Sequence, residues 1–261
     1  MSVGRLESTL RAARDRGRKL LVPYVMGGMS DDWVDVLRAI AAAGADAIEV
    51  EIPFSDPAMD GPTVQEASNI ALGRGATPVS ILDDLRGVDA GVPLVAMTYY
   101  NIVARNGEAR FAGMLSSAGI CGAIIPDIPL EESESWESVA AAAGVETVLL
   151  VAPVTPEERV ARIVERSHGF IYSVSRMGTT GERAELSTSA GMTAKRVKAV
   201  TDKPVLIGFG ISTPEQAVEA CAEADGVVVA SALLRRMIDE GGGPEGAAAF
   251  IKTFRDALDQ L

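Results

Sequence analysis

Four acidic residues gather around the end of one predicted strand, in the stretch IEVEIPFSDPAMDGP (48–62). Glu49 and Glu51 alternate with three branched apolar residues, which is the two-residue period of a β-strand. Asp56 and Asp60 follow in a turn rich in proline and glycine. Carboxyl groups in such positions can exchange protons with a bound small molecule, so the pattern indicates general acid–base chemistry.

Glu49 and Glu51 share one face of the predicted strand, because side chains two residues apart point the same way. If that face lay under packed helices, each unpaired acid would cost several kcal/mol. We therefore expect both side chains to point away from the helices, near the end of the strand, where they reach solvent or substrate. The alternative is a salt-bridged pair at the rim that takes no part in chemistry.

Three glycine-rich loops indicate a second site, for phosphate. They are RMGTTG (176–181), GFGIS (208–212) and ASALL (230–234), and each follows a predicted strand. Glycines let backbone N–H groups close on phosphate oxygens, Ser231 adds a hydroxyl donor, and a helix that begins at the third loop favours an anion. The alternative is that all three are ordinary tight turns.

Missing residue types exclude several mechanisms. The only histidine, His168, precedes a predicted strand, so neither a histidine-ligated metal nor a Ser-His-Asp triad is expected. None of the five lysines follows a strand, so a Schiff-base aldolase mechanism lacks its amine. Acid–base work by carboxylates on a phosphorylated small molecule remains, with no metal.

Strands and helices alternate along the whole chain and must position these residues. Eight short apolar strands alternate with helical segments, and the helix–glycine–strand pattern recurs in AAAGADAIEV, SSAGICGAII and AAAGVETVLL. This order predicts a closed (β/α)₈ TIM barrel, with an extra N-terminal helix, in a single domain over residues 1–261. An open doubly wound sheet is the alternative, but PYVMGGMSDD, which contains the end of the first strand and the loop after it, lacks the GxGxxG spacing.

The composition narrows the class of partner. The 261 residues carry a net charge of −12, which repels nucleic acid and anionic lipid. No stretch reaches the roughly 20 apolar residues of a membrane span. Two cysteines, Cys121 and Cys221, are expected to be buried free thiols, so we expect a soluble protein in the cytoplasm.

The motifs IEVEIPFSDPAMDGPTVQ, PDIPLEES, RMGTTG and GFGISTPEQ resemble the α subunit of tryptophan synthase, from about Leu21 to Met237. The resemblance implies a TIM barrel that cleaves indole-3-glycerol phosphate to indole and glyceraldehyde 3-phosphate. It also implies no cofactor in this chain and an α2β2 complex with a pyridoxal-phosphate β subunit, which joins the indole to serine.

The resemblance also implies roles for single residues. Glu49 would protonate indole C3 and Asp60 would hold the ring N–H. Arg176 and Thr180 would lie on a loop that closes over the site and orders Asp60. The remaining assignments are phosphate binding by Gly181, Gly210 and Ser231, an indole pocket with Tyr99, Tyr172 and Phe209, and a β-subunit interface at Pro53–Asp56.

Two residues depart from the family pattern. Glu51 and Ala230 both stand where the family typically has glycine. We expect Glu51 either to turn to a basic partner or to solvent, or to alter the activity, and Ala230 puts phosphate affinity in question. Three alternatives therefore stay open: a stand-alone indole-releasing lyase, a weakly catalytic protein that mainly activates a β subunit, and another phosphosugar isomerase or lyase on the same fold.

Overall fold

Parallel strands form a closed barrel in the computed structural model, which describes residues 3–174, 188–208 and 210–261. In these residues each strand pairs with the next along the chain and the eighth pairs with the first. The strands are β1 (Leu20–Met26), β2 (Ile48–Glu51), β3 (Leu94–Met97), β4 (Ile120–Ile124), β5 (Glu146–Val151), β6 (Ile171–Val174), β7 (Val205–Gly208) and β8 (Gly226–Val229). This confirms the predicted (β/α)₈ barrel; that residues 1–261 form one domain stays a prediction.

Helices surround the barrel in the same range. They are α1 (Arg5–Arg14), α2 (Trp33–Ala42), α3 (Pro62–Gly73), α4 (Pro78–Asp84), α5 (Tyr100–Asn106), α6 (Glu108–Ser117), α7 (Glu134–Ala142), α8 (Glu157–Arg166), α9 (Thr188–Lys198), α10 (Pro214–Ala220), α11 (Ser231–Glu240) and α12 (Gly243–Leu258). The predicted N-terminal helix is α1. Its N-terminus is held by Glu146, at the start of β5, which accepts hydrogen bonds from the Leu6 and Glu7 N–H groups at 2.6 and 3.1 Å.

Strand register decides which side chains meet inside the barrel. Tyr24 of β1, Glu49 of β2 and Val95 of β3 lie side by side in one layer. Glu51 lies one inward layer closer to the C-terminal ends of the strands, level with Met97. The period of two therefore brings both glutamates into the interior, as the sequence predicts.

The opposite faces of the strands pack under the helices. Ile48 and Val50 of β2 are fully buried in a cluster with Trp33 and Leu37 of α2. The apolar run on each strand thus covers both the lumen and the layer below the helices, which is typical of parallel sheets.

Some element ends differ from what the local sequence predicts. Ser30 precedes a helical pattern and predicts an N-cap, but a turn follows β1 and α2 begins at Trp33, with Asp32 at the N-cap position and no side-chain cap. The segment PLVAMTYY (93–100) predicts a strand to Tyr100, but β3 ends at Met97, because Tyr99 takes the N-cap position of α5. Gly107, at φ 82°, separates α5 from α6.

The remaining features are the state of the two cysteines and the length of the helices. Cys121 and Cys221 are buried and free, as predicted. Among the helices of the described ranges, none is both long and apolar enough to cross a membrane.

Candidate active site

Glu49 is the most enclosed acid of the barrel. It projects from β2 into the lumen and is 0% exposed. Neither carboxylate oxygen has a hydrogen-bond partner among the described residues. Burial without a partner penalises the charged form and raises the pKa of Glu49 to about 8. The group therefore holds a proton at neutral pH and can give it away.

Asp60 lies above the same lumen on the loop between β2 and α3. It is 6% exposed, and its Oδ2 accepts a hydrogen bond of 2.7 Å from the Tyr99 hydroxyl. Burial raises the pKa of Asp60 to about 6, and the Tyr99 hydrogen bond opposes that shift. At neutral pH this acid is mostly ionised, in contrast to Glu49.

Tyr99 is the residue that holds Asp60 in place. Its hydroxyl accepts a 3.1 Å hydrogen bond from the Met59 N–H while it donates to Asp60. Its ring stacks on Phe54, with centroids 5.2 Å apart. The loop is therefore fastened to the start of α5 at two points, and Tyr99 acts on the loop acid directly.

Glu51 is the unexpected member of the site. It is 3% exposed and makes no ion pair with any described residue, so the expected turn to solvent or to a basic partner is wrong for this part of the chain. Burial raises its pKa well above the usual range, and Asp60, Glu49 and Asp127 add to the shift, while Tyr24 opposes it. The remaining expectation, altered activity, stays a prediction.

Tyr172 of β6 joins the acids from the opposite wall of the barrel. It is 2% exposed, and burial raises its pKa, with Glu49 the first of the charged neighbours that add to the shift. A Cβ atom on Gly208 of β7 would overlap with the Tyr172 ring and hydroxyl. The glycine is therefore required by this close approach.

The predicted phosphate side is only partly described. Gly210 is half-buried with φ 81°, and Ser231 is 9% exposed as the first residue of α11, directly after Ala230. Arg176, Thr180, Gly181 and Phe209 lie outside the described residues, and the roles predicted for them stay predictions.

A cavity of about 270 Å³ opens next to the acids. Met59, the neighbour of Asp60, lies at one side, and Leu150 and Val174 of the barrel interior lie at another. The rest of the wall is largely apolar and comes from the residues that follow β4 and β5. Glu49 and Asp60 are not part of this wall, so the cavity adjoins the acids without containing them.

The residues predicted to contact a partner differ in their exposure to solvent. Asp56 is exposed, whereas Pro53 is buried. Met59, on the same loop, is 39% exposed. The assignment of Pro53 and Asp56 to an interface stays a prediction.

Sequence reasoning missed Tyr24. It lies directly beside Glu49 in register, is 4% exposed, and its hydroxyl makes no hydrogen bond of good geometry with the described residues. The sequence does contain a signal for it, because Tyr24 is separated by an even number of residues from the other inward-facing residues of β1.

No group of three or more His, Cys, Asp or Glu side chains suited to a metal occurs in the described ranges.

The family model and the sequence relatives that match this chain carry the same description. Residues 10–260 match the family model described as tryptophan synthase alpha chain. The chain is 40% identical to the tryptophan synthase alpha chain of Prochlorococcus marinus over 97% of its length and 94% of the relative's. It is 46% identical to that of Methanosarcina acetivorans over 85% of its length and 82% of the relative's.

Solved structures agree with the sequence relatives. A chain of Mycobacterium tuberculosis tryptophan synthase superposes with a TM-score of 0.91 at 36% identity, covering 98% of this chain and 99% of that one. The tryptophan synthase subunit alpha of Legionella pneumophila gives a TM-score of 0.88 at 28% identity, covering 100% of both chains.

Proposed function

The chain belongs to the tryptophan synthase alpha chain family, and we propose that its reaction runs between Glu49 and Asp60 at the barrel mouth. The alpha reaction cleaves indole-3-glycerol phosphate to indole and glyceraldehyde 3-phosphate, so the protein is a lyase of tryptophan biosynthesis. The observation that carries the proposal is that two buried acids at one mouth have different surroundings: Glu49 has no hydrogen-bond partner among the described residues, whereas Asp60 accepts a hydrogen bond from Tyr99. These surroundings raise the pKa of Glu49 to about 8 and that of Asp60 to about 6.

Glu49 is the proton donor in this proposal. Its protonated carboxyl group gives a proton to C3 of the indole ring, and the ring nitrogen becomes positively charged. The ionised Asp60 accepts a hydrogen bond from the ring N–H and stabilises that charge. Tyr99 fixes the position of Asp60, so the carboxylate does not have to reorganise when the charge develops.

Bond cleavage returns the proton. The carboxylate of Glu49 takes the proton from the hydroxyl on the carbon attached to the ring. The O–H electron pair becomes the carbonyl bond of glyceraldehyde 3-phosphate. The electrons of the broken C–C bond return to the ring and restore neutral indole. Glu49 ends protonated, no electrons are exchanged with an external group, and the chain is proposed to need no cofactor.

The phosphate end of the substrate is proposed to bind on the opposite side of the mouth. Gly210 and Ser231 border that side, where the ten-residue helix α11 begins. The backbone N–H groups there and the Ser231 hydroxyl suit phosphate oxygens. Ala230 retains its N–H, and its methyl group is expected to weaken the contact.

A partner completes the proposed function. The exposed part of the loop after β2, with Asp56 and Met59, is proposed to face a pyridoxal-phosphate β subunit in an α2β2 complex. Indole would pass to that subunit, and both would work in the cytoplasm.

Glu51 favours one alternative, a weakly catalytic protein that mainly activates the β subunit. A third buried acid stands beside Glu49 and Asp60 where the family pattern has glycine, so the site differs from that pattern next to its two reacting acids. This alternative predicts slow indole release together with strong stimulation of the partner.

The test is indole release from indole-3-glycerol phosphate, with and without a β subunit. Glu49→Gln is expected to lower the rate by about 10²–10⁴-fold, the contribution of one positioned proton donor. The matched control is Glu146→Gln, a buried glutamate at the other end of the barrel, which should keep the parental rate. Equal rates for Glu49→Gln and the parent would exclude the proposed mechanism.

A further inference from the structure

The ionised state of Glu49 poses a problem that the proposed reaction does not solve by itself. After the proton has moved to the ring, a carboxylate that is 0% exposed has no hydrogen-bond donor among the described residues. A buried, unpaired anion is far less stable than one that accepts hydrogen bonds. The site therefore needs donors that can turn to this carboxylate during the reaction.

Tyr24 is one such donor. It is the β1 neighbour of Glu49 in the barrel layer, and its side chain is almost fully buried in the interior cluster. Its hydroxyl lies close enough to Glu51 to oppose the rise in that acid's pKa, yet it makes no hydrogen bond of good geometry with the described residues. A buried O–H group is stabilised by a well-aligned acceptor, and an ionised Glu49 carboxylate would supply one.

Glu51 is the second donor, provided that it is protonated. The titratable groups that face it are Tyr24, Glu49, Asp60, Asp127, Tyr99 and Tyr172. None of them is a cation, and three are carboxyl groups. Burial and these neighbours hold its pKa well above the usual range, so Glu51 is a neutral acid with one O–H to donate.

The geometry joins the two donors to Glu49. Glu51 follows Glu49 on the same inward row, about 6.5–7 Å along the strand, and the Tyr24 hydroxyl approaches Glu51 from β1. Tyr24, Glu49 and Glu51 thus form one contiguous group of buried oxygens, with Tyr172 facing it across the barrel.

We propose that Tyr24 and Glu51 are positioning residues that donate hydrogen bonds to the Glu49 carboxylate while its proton is on the substrate. Both keep their own protons throughout. When Glu49 takes the hydroxyl proton from the substrate, the two donors turn away again. The inference rests on the proposed function, because it explains how the proton donor tolerates its own ionised form.

The test uses three variants of the full chain without substrate. Tyr24→Phe removes one donor and keeps the ring, Glu51→Leu removes the other, and Glu51→Gln keeps a donor but cannot ionise. Carbon-13 NMR of labelled carboxyl groups follows the titration of Glu49. Met26→Leu is the matched control, since Met26 lies beside Glu51 in register and carries no donor.

Loss of a donor is expected to raise the pKa of Glu49 by about one unit, which corresponds to a tenfold change in its ionisation. Tyr24→Phe and Glu51→Leu should both do so, and each should lower kcat for indole release about tenfold. Glu51→Gln keeps a donor, so the pKa of Glu49 in this variant should equal the parental value. The same is expected of the control Met26→Leu.

Two results would overturn the inference. One is a Glu49 titration in Tyr24→Phe and Glu51→Leu that matches the parent. The other is a fall in the pKa of Glu49 in Glu51→Gln, which would mean that Glu51 is an anion in the parent. Failure of the proposed function would show differently, as indole release unaffected by Glu49→Gln, while the substrate-free titration would still report on the donors.

Discussion

Glu49 and Asp60 carry the same functional group, and their surroundings give them opposite tasks. Glu49 is fully buried and has no hydrogen-bond partner among the residues that the structure describes, so its proton stays in place up to about pH 8. Asp60 is also buried, but the hydroxyl of Tyr99 stabilises its charge and limits the pKa to about 6. A donor and an anion can therefore coexist in one site at neutral pH.

The first prediction concerns the pH dependence of kcat/KM for indole release. The active form needs Asp60 ionised and Glu49 protonated, so the profile should rise with an apparent pKa of about 6 and fall with one of about 8. Initial rates between pH 5 and pH 9.5 measure it. A profile that rises through pH 8 without falling would contradict the role of protonated Glu49.

A second prediction tests whether the acidic limb of this profile comes from Asp60 or from the phosphate group of the substrate, which also titrates near pH 6. Tyr99→Phe keeps the ring on Phe54 but removes the hydrogen bond that lowers the pKa of Asp60. The acidic limb should move to higher pH, and kcat/KM at pH 7 should fall about tenfold. Tyr100→Phe, in which the lost hydroxyl bonds Glu108 instead, should leave the limb in place.

The third prediction concerns stability. The pKa of Glu49 is raised in the folded protein from 4.5 to about 8, so the folded state binds an extra proton between these values. The stability due to this proton is fully present below the unfolded pKa and is lost as the pH rises through about 8. Glu49→Gln has no such dependence. Its free energy of unfolding should exceed that of the parent by a few kcal/mol at pH 9, and by much less at pH 5.

Urea denaturation at several pH values measures this difference. Glu132→Gln, a change at an exposed glutamate, is the control and should follow the parent at every pH. A parent-like pH dependence in Glu49→Gln would mean that the Glu49 side chain is solvated in the folded protein.

At the scale of single elements, the dependence of α1 on a distant acceptor is the clearest feature. Its first N–H groups have no side-chain cap from Gly4, and two of them bond the carboxylate of Glu146. Glu146 is itself 8% exposed, so water cannot easily replace it. The first turn of the helix is therefore held to the lower end of the barrel by one side chain of β5.

We predict that Glu146→Ala lowers the free energy of unfolding by about 1–3 kcal/mol, the cost of two buried donors without an acceptor. Indole release should remain, because the active site lies at the other end of the strands. Thermal and urea denaturation measure the loss. Ser8→Ala, at an exposed position of the same helix, should change stability by less than about 0.5 kcal/mol.

Elements with strong patterns could be predicted from the sequence, and elements with weak patterns could not. The apolar strands and the break between α3 and α4 at Gly73–Pro78 follow local chemistry, and both are present. Helix α5 was missed, since it begins inside the apparent strand PLVAMTYY, whereas the end of α6 was marked by the helix–glycine–strand pattern of SSAGICGAII. Tertiary packing, not propensity, decides where such segments end.

At the scale of the whole molecule, barrel closure depends on one glycine. Gly226 begins β8 and pairs with Leu20 of β1, and a Cβ atom there would overlap with the Leu20 carbonyl oxygen and side chain. The two strands could not keep their register around that atom. The seam between the first and last strands is thus intolerant of any side chain at this position.

We expect Gly226→Ala to destabilise the protein by about 3 kcal/mol or more, since backbone must move to relieve the overlap. Gly113→Ala is the matched control, because Gly113 lies in α6 with open space around its Cα. There alanine should stabilise by about 0.5–1 kcal/mol through helix propensity. Equal stability of both variants would mean that the seam adjusts at no cost.

Strand periodicity and the order of strands and loops were enough to predict the positions of the three acids. Alternation placed Glu49 and Glu51 in the interior, and the loop acid Asp60 was expected beside them. The raised pKa of Glu51 and the approach of the Tyr24 hydroxyl to it were not predictable, because both depend on which groups face each other across neighbouring strands. Such contacts are set by barrel register and leave no local pattern in one sequence.

The bond between α1 and Glu146 also bears on how the chain folds during synthesis. The helix leaves the ribosome before β5, and the acceptor of its leading amides is added 140 residues later. At roughly 5–20 residues per second, that gap lasts about 7–30 s. For that time the leading amides of α1 have no carboxylate to bond, and its apolar residues Leu6 and Leu10 have only the earlier strands of the barrel to pack against.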